Sequence, residues 1–355
     1  MKISDYIKET RIQIAEVDSE DQKKFQTLFE ELKSYLKEPC DAELYICHSL
    51  NIASNLIKSD GKKYFVLDLS TLFFYQYFGM AIQLNQWRYL EKAYYLIREY
   101  DSYYNDEIFL TILYSGILTS GECTFDDDAI LYNEPSLSEK QWNRLMNLMI
   151  YFLVYHEFTH FFNERPFVNP TVEPLVKKAI SSLIEGERRM FGSSNVENAV
   201  TKKGAEILKE AVCDCNAILF MIELLYPDYT LQEISDACSM VISFSYAIHL
   251  IKNHWNYSEN ERHMDLRASI MSVFLNLLGK VIENDDILVN EINRLDTSER
   301  RLHNFYRIVN QLMDRDERTI SAIFDTENNL YYAYEYLQHL KVEITYHKPE
   351  TIFWK

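Results

Sequence analysis

Two histidines and a glutamate stand inside an apolar run. Residues 155–164 read YHEFTHFFNE, and the preceding 146–154, MNLMIYFLV, are almost all apolar. Titratable groups are costly in a protein interior unless something pairs with them. On a helix, residues four apart lie on one face, so His156 and His160 can offer both imidazoles to one metal ion. Glu157 is rotated one residue away. Its carboxylate stands beside such an ion, where the general base for an activated water belongs. Zn2+ suits imidazole and carboxylate ligands, and a catalytic zinc keeps one position open.

A third ligand is needed. In an HExxHxxGxxH arrangement it would be a third histidine, but Asn163 stands where the glycine belongs and Pro166 where that histidine belongs, which excludes the class. Further on, 204–220 read GAEILKEAVCDCNAILF. Glu210 and Asp214 lie one helical turn apart as ExxxD. Glu210 can complete a His2Glu set, and Asp214 can accept the N–H of a ligand imidazole and fix its tautomer. Ala211 and Ala217 keep this helix slim for a close approach. Glu206 is an alternative ligand, but it lacks an aspartate four residues on. Cys213 and Cys215 point about 160° apart on a helix and read as small buried residues. Tyr155 reads as packing or as a hydrogen-bond donor to a reacting group. His249 and His254 read as core or rim histidines.

HExxH followed by ExxxD on the next long helix resembles the gluzincin zinc metallopeptidases. The upstream strands and helical tail also resemble the phage-exclusion peptidases of the Lit type. The resemblance covers 155–217. It implies a zinc endopeptidase acting on a protein or peptide substrate, with His156, His160 and Glu210 as ligands, Glu157 as base and Asp214 as orienting partner. Related families carry a His-Pro near an arginine on a later helix. Here 263–267 read HMDLR, without the proline. The resemblance implies that His263 and Arg267 hold an oxyanion; the competing reading is an exposed pair at a helix start. Two other functions stand beside this one. One is a non-catalytic helical interaction or scaffold protein with a structural metal or none. The other is a metallohydrolase with a non-peptide substrate.

The elements that would position these residues are mostly helices. Among 355 residues only 8 are glycine and 7 proline, which argues for long helices and few tight turns. The expected fold is mainly α (α+β): a helical zincin-like domain with a small β-sheet near 42–69. AELYICHSL (42–50) and KYFVLDL (63–69) read as a strand pair, with Ser59-Asp60-Gly61 as a turn signal. Helices are expected within 1–37 and 71–118, then from a capping box (Ser138 with Gln141, or Ser136 with Glu139) to about 164. More follow at 173–189, 204–226, 229–256, 260–280, 286–316 and 317–341. The regions 1–118, 119–285 (the catalytic core) and 286–355 read as one compact unit. The broken stretch 165–204 reads as a lid over a cleft, and the strand edge as a place for a peptide.

A formal charge of −18 argues against nucleic acid, which needs Lys/Arg clusters. The acidic run 126–128 reads as a solvated loop. Six cysteines without framework spacing, and a charged N-terminus without a secretory pattern, point to free thiols and a cytoplasmic setting. No apolar run reaches membrane-spanning length, so no membrane contact is expected. Oligomeric state is open.

Overall fold

The computed structural model describes residues 19–34, 40–52, 54–59, 61–83, 87–120, 138–162, 169–253, 263–282, 286–295 and 299–324. The acidic run 126–128 and the expected helix beyond 324 lie outside them. The fold is predominantly helical with one small mixed sheet. In chain order the elements are α1 (Ser19–Ser34), β1 (Ala42–Cys47), β2 (Asn55–Ser59), β3 (Lys62–Asp68), α2 (Leu69–Gln83), α3 (Arg88–Tyr104) and α4 (Ile108–Ser120). Then come α5 (Glu139–Phe162), α6 (Val172–Phe191), α7 (Asn195–Leu225), α8 (Leu231–Lys252), α9 (His263–Leu278), α10 (Asp286–Ile292) and α11 (Glu299–Phe324).

The sheet differs from a simple strand pair. Its order is β1-β3-β2. β1 runs parallel to β3, from Ala42↔Lys63 to Cys47↔Asp68. β2 pairs antiparallel with β3 from Asn55↔Val66 to Ser59↔Lys62. Gly61, at φ +75°, makes the β2–β3 turn in a conformation that costs glycine nothing. The segment NLIKS is short and shows no apolar alternation, so it left little trace in the sequence. Two polar groups, one buried and one partly buried, set its path. Asp68 Oδ1 accepts Ser49 N–H (3.0 Å) and Ser70 N–H (2.9 Å), joining the end of β1 to the start of α2. Lys252 Nζ donates to Asn51 Oδ1 (2.8 Å) and holds the loop that leads into β2.

Helix α2 is apolar nearly all round, and a helix of that kind belongs in the core; Leu72, Phe74, Tyr75 and Phe78 are all fully buried. α8 is long and apolar enough to cross a membrane, but most of it is buried inside the protein. α5 packs against α7 and α8, and α9 against α6, α7 and α8. Gly79 of α2 is needed for a close approach, since a Cβ there would fall 1.7 Å from the Trp142 ring of α5. The helix starts use side-chain caps. Ser138 Oγ accepts Gln141 N–H (3.3 Å), Ser194 Oγ accepts Glu197 N–H (3.0 Å), and Thr230 with Glu233 forms a capping box.

Two expectations change. Most of 165–204 is regular: α6 fills 172–191, and α7 starts at Asn195 rather than near 204, broken only at Lys203 (φ −138°, ψ 31°). Ser194 supplies the N-cap there, and its local bond outweighs the polar composition. The single helix expected over 286–316 is two, α10 and α11.

A second polar cluster lies away from the histidines. Arg98 of α3 is 1% exposed, and its Nη1 donates to Asp101 Oδ2 (3.3 Å) and Ile251 O (3.2 Å). Asp316 of α11 accepts the hydroxyls of Tyr94 (2.8 Å) and Tyr114 (2.9 Å), with Arg98 Nε at 3.5 Å. This carboxylate therefore pins α11 to the body of the protein. Asp316→Ala takes the acceptor from two buried hydroxyls and a buried guanidinium. Urea unfolding should show a loss of about 3 kcal/mol.

Candidate metal centre

Three helices build the site. α5 brings His156, Glu157 and His160; α7 brings Glu210 and Asp214; α9 brings Arg267. α5 packs against α7, and Ala211 and Ala217 of α7 are fully buried, as small residues on a closely packed helix are. One polar bond sets their register, as Asn216 Nδ2 of α7 donates to Thr159 Oγ1 of α5 (3.0 Å). Tyr155 stacks on Phe220 of α7 with centroids 5.6 Å apart. It is 1% exposed, which matches its packing reading.

His156, His160 and Glu210 form a cluster able to hold a metal ion. His156 Nε2 lies 3.1 Å from His160 Nε2 and 3.4 Å from Glu210 Oε2; His160 Nε2 lies 3.3 Å from Glu210 Oε1. Ligand atoms about 2.0–2.1 Å from a tetrahedral zinc stand about 3.3–3.4 Å from one another. The two glutamate distances run to different carboxylate oxygens; with one ligand atom from each residue, the three lie within 4.8 Å of one another, and their donor set suits such an ion.

The surrounding groups fix the orientation of the trio. His156 Nδ1 is 2.8 Å from Asp214 Oδ1. Asp214 is 0% exposed and takes both arms of the Arg267 fork: Nε to Oδ2 and Nη2 to Oδ1, each 2.7 Å. Arg267 Nη1 also lies 3.5 Å from Glu210 Oε2. The guanidinium therefore braces two carboxylates, and it also lines the cleft over the cluster. The His263 side chain lies outside the described residues. Glu206 is exposed and takes no part in the cluster.

Two neighbours escaped the sequence reading. Cys213 Sγ lies 3.4 Å from His160 Nδ1, so the thiol is the polar neighbour of that ring. Its place three residues after Glu210 on one helix face is a signal that could have found it. The other is a backbone group, Leu56 N–H of β2, which donates to Glu157 Oε2 (3.1 Å). Nothing in residue types could show that bond.

Electrostatics follow from these contacts. Burial pushes the Glu157 carboxyl up, against the two imidazoles and the Leu56 N–H. Burial also acts on Glu210, but bonds from His156 and His160 hold it well below the usual carboxylate range. Asp214 is likewise depressed, since Arg267 outweighs its burial. Burial pulls His156 down, while Asp214 and Glu210 raise it to about 9. A ligand imidazole must be neutral. Zinc uptake at about pH 7.5 should therefore release a proton from His156 in addition to that given up by the metal-bound water, and total release should fall above about pH 9 as the His156 share is lost. Calorimetric titration in buffers of different protonation enthalpy measures this directly. Release that stays constant across that range would contradict the assignment to His156.

A cleft of about 700 Å³ opens over the cluster. Its walls include His156, Glu157, His160, Glu210 and Arg267, and β2 forms one lip through Ser54, Asn55, Leu56 and Lys58. No residue of 169–203 lines it among the described residues, so the helical hairpin there does not cover the cluster as a lid. Comparison with protein-family models, curated proteins and solved structures gives no match. The likeness to gluzincins and to Lit-type peptidases therefore rests on the motif residues and their spacing.

Proposed function

We propose that the cluster is a hydrolytic zinc centre acting on peptide bonds. The observation that carries this reading is Glu157. It lines the cleft beside the three converging ligands, yet its carboxylate bonds to a strand-edge N–H and is not one of the trio. A purely structural site has no use for such a group.

A bound ion supplies Lewis acidity and lowers the pKa of its water toward neutrality. The chain's own residues do the rest. His156, His160 and Glu210 hold the ion, and Asp214 with Arg267 keeps His156 in one tautomer and orientation. Glu157 accepts the proton of the attacking water and delivers it to the leaving amine. Leu56 N–H points toward Glu157 and away from β3. Residues 54, 56 and 58, of the same parity, thus present main-chain groups to the cleft, where a peptide can add as a strand. The Lit-type likeness and a cytoplasmic setting belong to this reading as well. They are supported by motif spacing and by the absence of disulfides among the described cysteines.

Glu210→Ala tests the ligand set. Metal analysis of the purified protein should fall from about one zinc per chain to a small fraction, because two imidazoles alone leave the set incomplete. Unchanged zinc would refute the assignment. A second reading is a structural metal in a non-catalytic helical protein. It is favoured by the way the trio joins α5 to α7 while Arg267 ties in α9, as a clasp between helices would.

A further inference from the structure

The cleft extends beyond the metal ligands. Its far wall is built by α2, α5 and α8, through Thr71, Tyr75, Phe152, Ile242, Ser245 and Ile248. Phe152 lies one turn before His156, with ring centroids 6.1 Å apart, so this wall adjoins the ligands directly. The apolar members make a surface suited to a large side chain. Three hydroxyls interrupt it. Thr71 and Tyr75, four residues apart, share one face of α2. The Tyr75 hydroxyl bonds to Ser245 Oγ of α8. Thr71 is 6% exposed, and its Oγ1 is shut off from solvent with no hydrogen-bond partner among the described residues. The usual local acceptor of a helical threonine is the carbonyl four residues back, but Leu67 belongs to β3. A buried unpaired hydroxyl is costly in a folded chain. Thr71 lines the cleft, and a rotation about its χ1 exchanges methyl and hydroxyl and presents the hydroxyl to a ligand's polar atom.

We propose that this recess is the specificity pocket for a residue flanking the scissile bond, and that it takes a large apolar side chain carrying a hydrogen-bonding group at its tip. Tyrosine is the natural peptide residue with that chemistry. The proposal rests on the peptidase reading. Phe152, Ile242 and Ile248 take the apolar body, and Thr71 with Ser245, itself held by the buried Tyr75 hydroxyl, takes the polar end. A phenylalanine fills the same space and leaves the Thr71 hydroxyl unpaired.

The test uses the zinc-loaded full chain and two readouts. The first is kcat/KM for peptide pairs that differ only by Tyr or Phe at each position beside the cleaved bond. At one position the Tyr/Phe ratio should be about tenfold, the worth of one hydrogen bond. Thr71→Val should bring it near unity, and Thr71→Ser should restore it. The second is binding of N-acetyl-tyrosinamide against N-acetyl-phenylalaninamide to the Glu157→Gln protein, which needs no turnover. The same preference and the same loss in Thr71→Val are expected. Cleavage with no Tyr/Phe preference at any position overturns the pocket and leaves the peptidase. Selective binding without cleavage of any peptide in the wild type overturns the peptidase and the pocket's role in cleavage. Neither binding nor cleavage overturns both.

Discussion

Glu157→Gln keeps its zinc and loses peptide turnover by about 10³-fold, the scale of a missing general base. The substitution preserves shape and an acceptor for Leu56 N–H, so the strand edge stays where it is. It removes only the capacity to take a proton. The three ligand atoms are untouched, and so is the Arg267–Asp214 brace behind them. Zinc content and thermal stability should therefore match the wild type. Paired metal analysis and turnover on a peptide mixture check both halves. This variant also separates the two readings of the cluster. In a structural clasp Glu157 does nothing that glutamine cannot do, and no property changes. Loss of zinc together with loss of turnover would instead make Glu157 part of the ligand set.

Arg267→Met should cost about 3–5 kcal/mol in urea unfolding, with a simultaneous fall in zinc affinity of about 10–100-fold. Asp214 is wholly buried, and the guanidinium meets both of its oxygens at 2.7 Å. With Arg267 gone, a buried carboxylate keeps only His156. Methionine fills the volume, so the loss reports charge pairing and not a cavity. Arg267→Lys should rescue little, because an ammonium cannot reproduce the two-armed fork. The pH dependence has a defined sign. The folded pKa of Asp214 is depressed. Its contribution is fully present above the unfolded value and is lost as pH falls through the folded one. In Arg267→Met that acid dependence should shrink. A variant as stable as the wild type would show that the fork is incidental.

The metal cluster was largely legible in the sequence because it is local. His156 and His160 sit one turn apart, and Glu210 with Asp214 repeats that spacing, so helical periodicity alone puts each pair on one face. Apolar surroundings made their pairing necessary. The mainly helical fold with a small sheet near 42–69 was legible for similar reasons: few glycines and prolines, capping residues such as Ser138, and long apolar periodicity. Less legible were the features made by backbone paths. β2 carries no alternation of its own. α7 extends back to Asn195 because of one serine cap. The expected helix at 286–316 divides in two.

Residue types and spacing thus determined which groups could meet a metal, and on which faces of which helices. Only the tertiary structure decided how the three helices meet: that Arg267 pairs with Asp214 where it lines the cleft, and that an edge-strand N–H holds Glu157. Those pairings join residues far apart in the chain, and their partners are chosen by packing and by the cost of leaving a buried polar group alone. No local pattern encodes that choice.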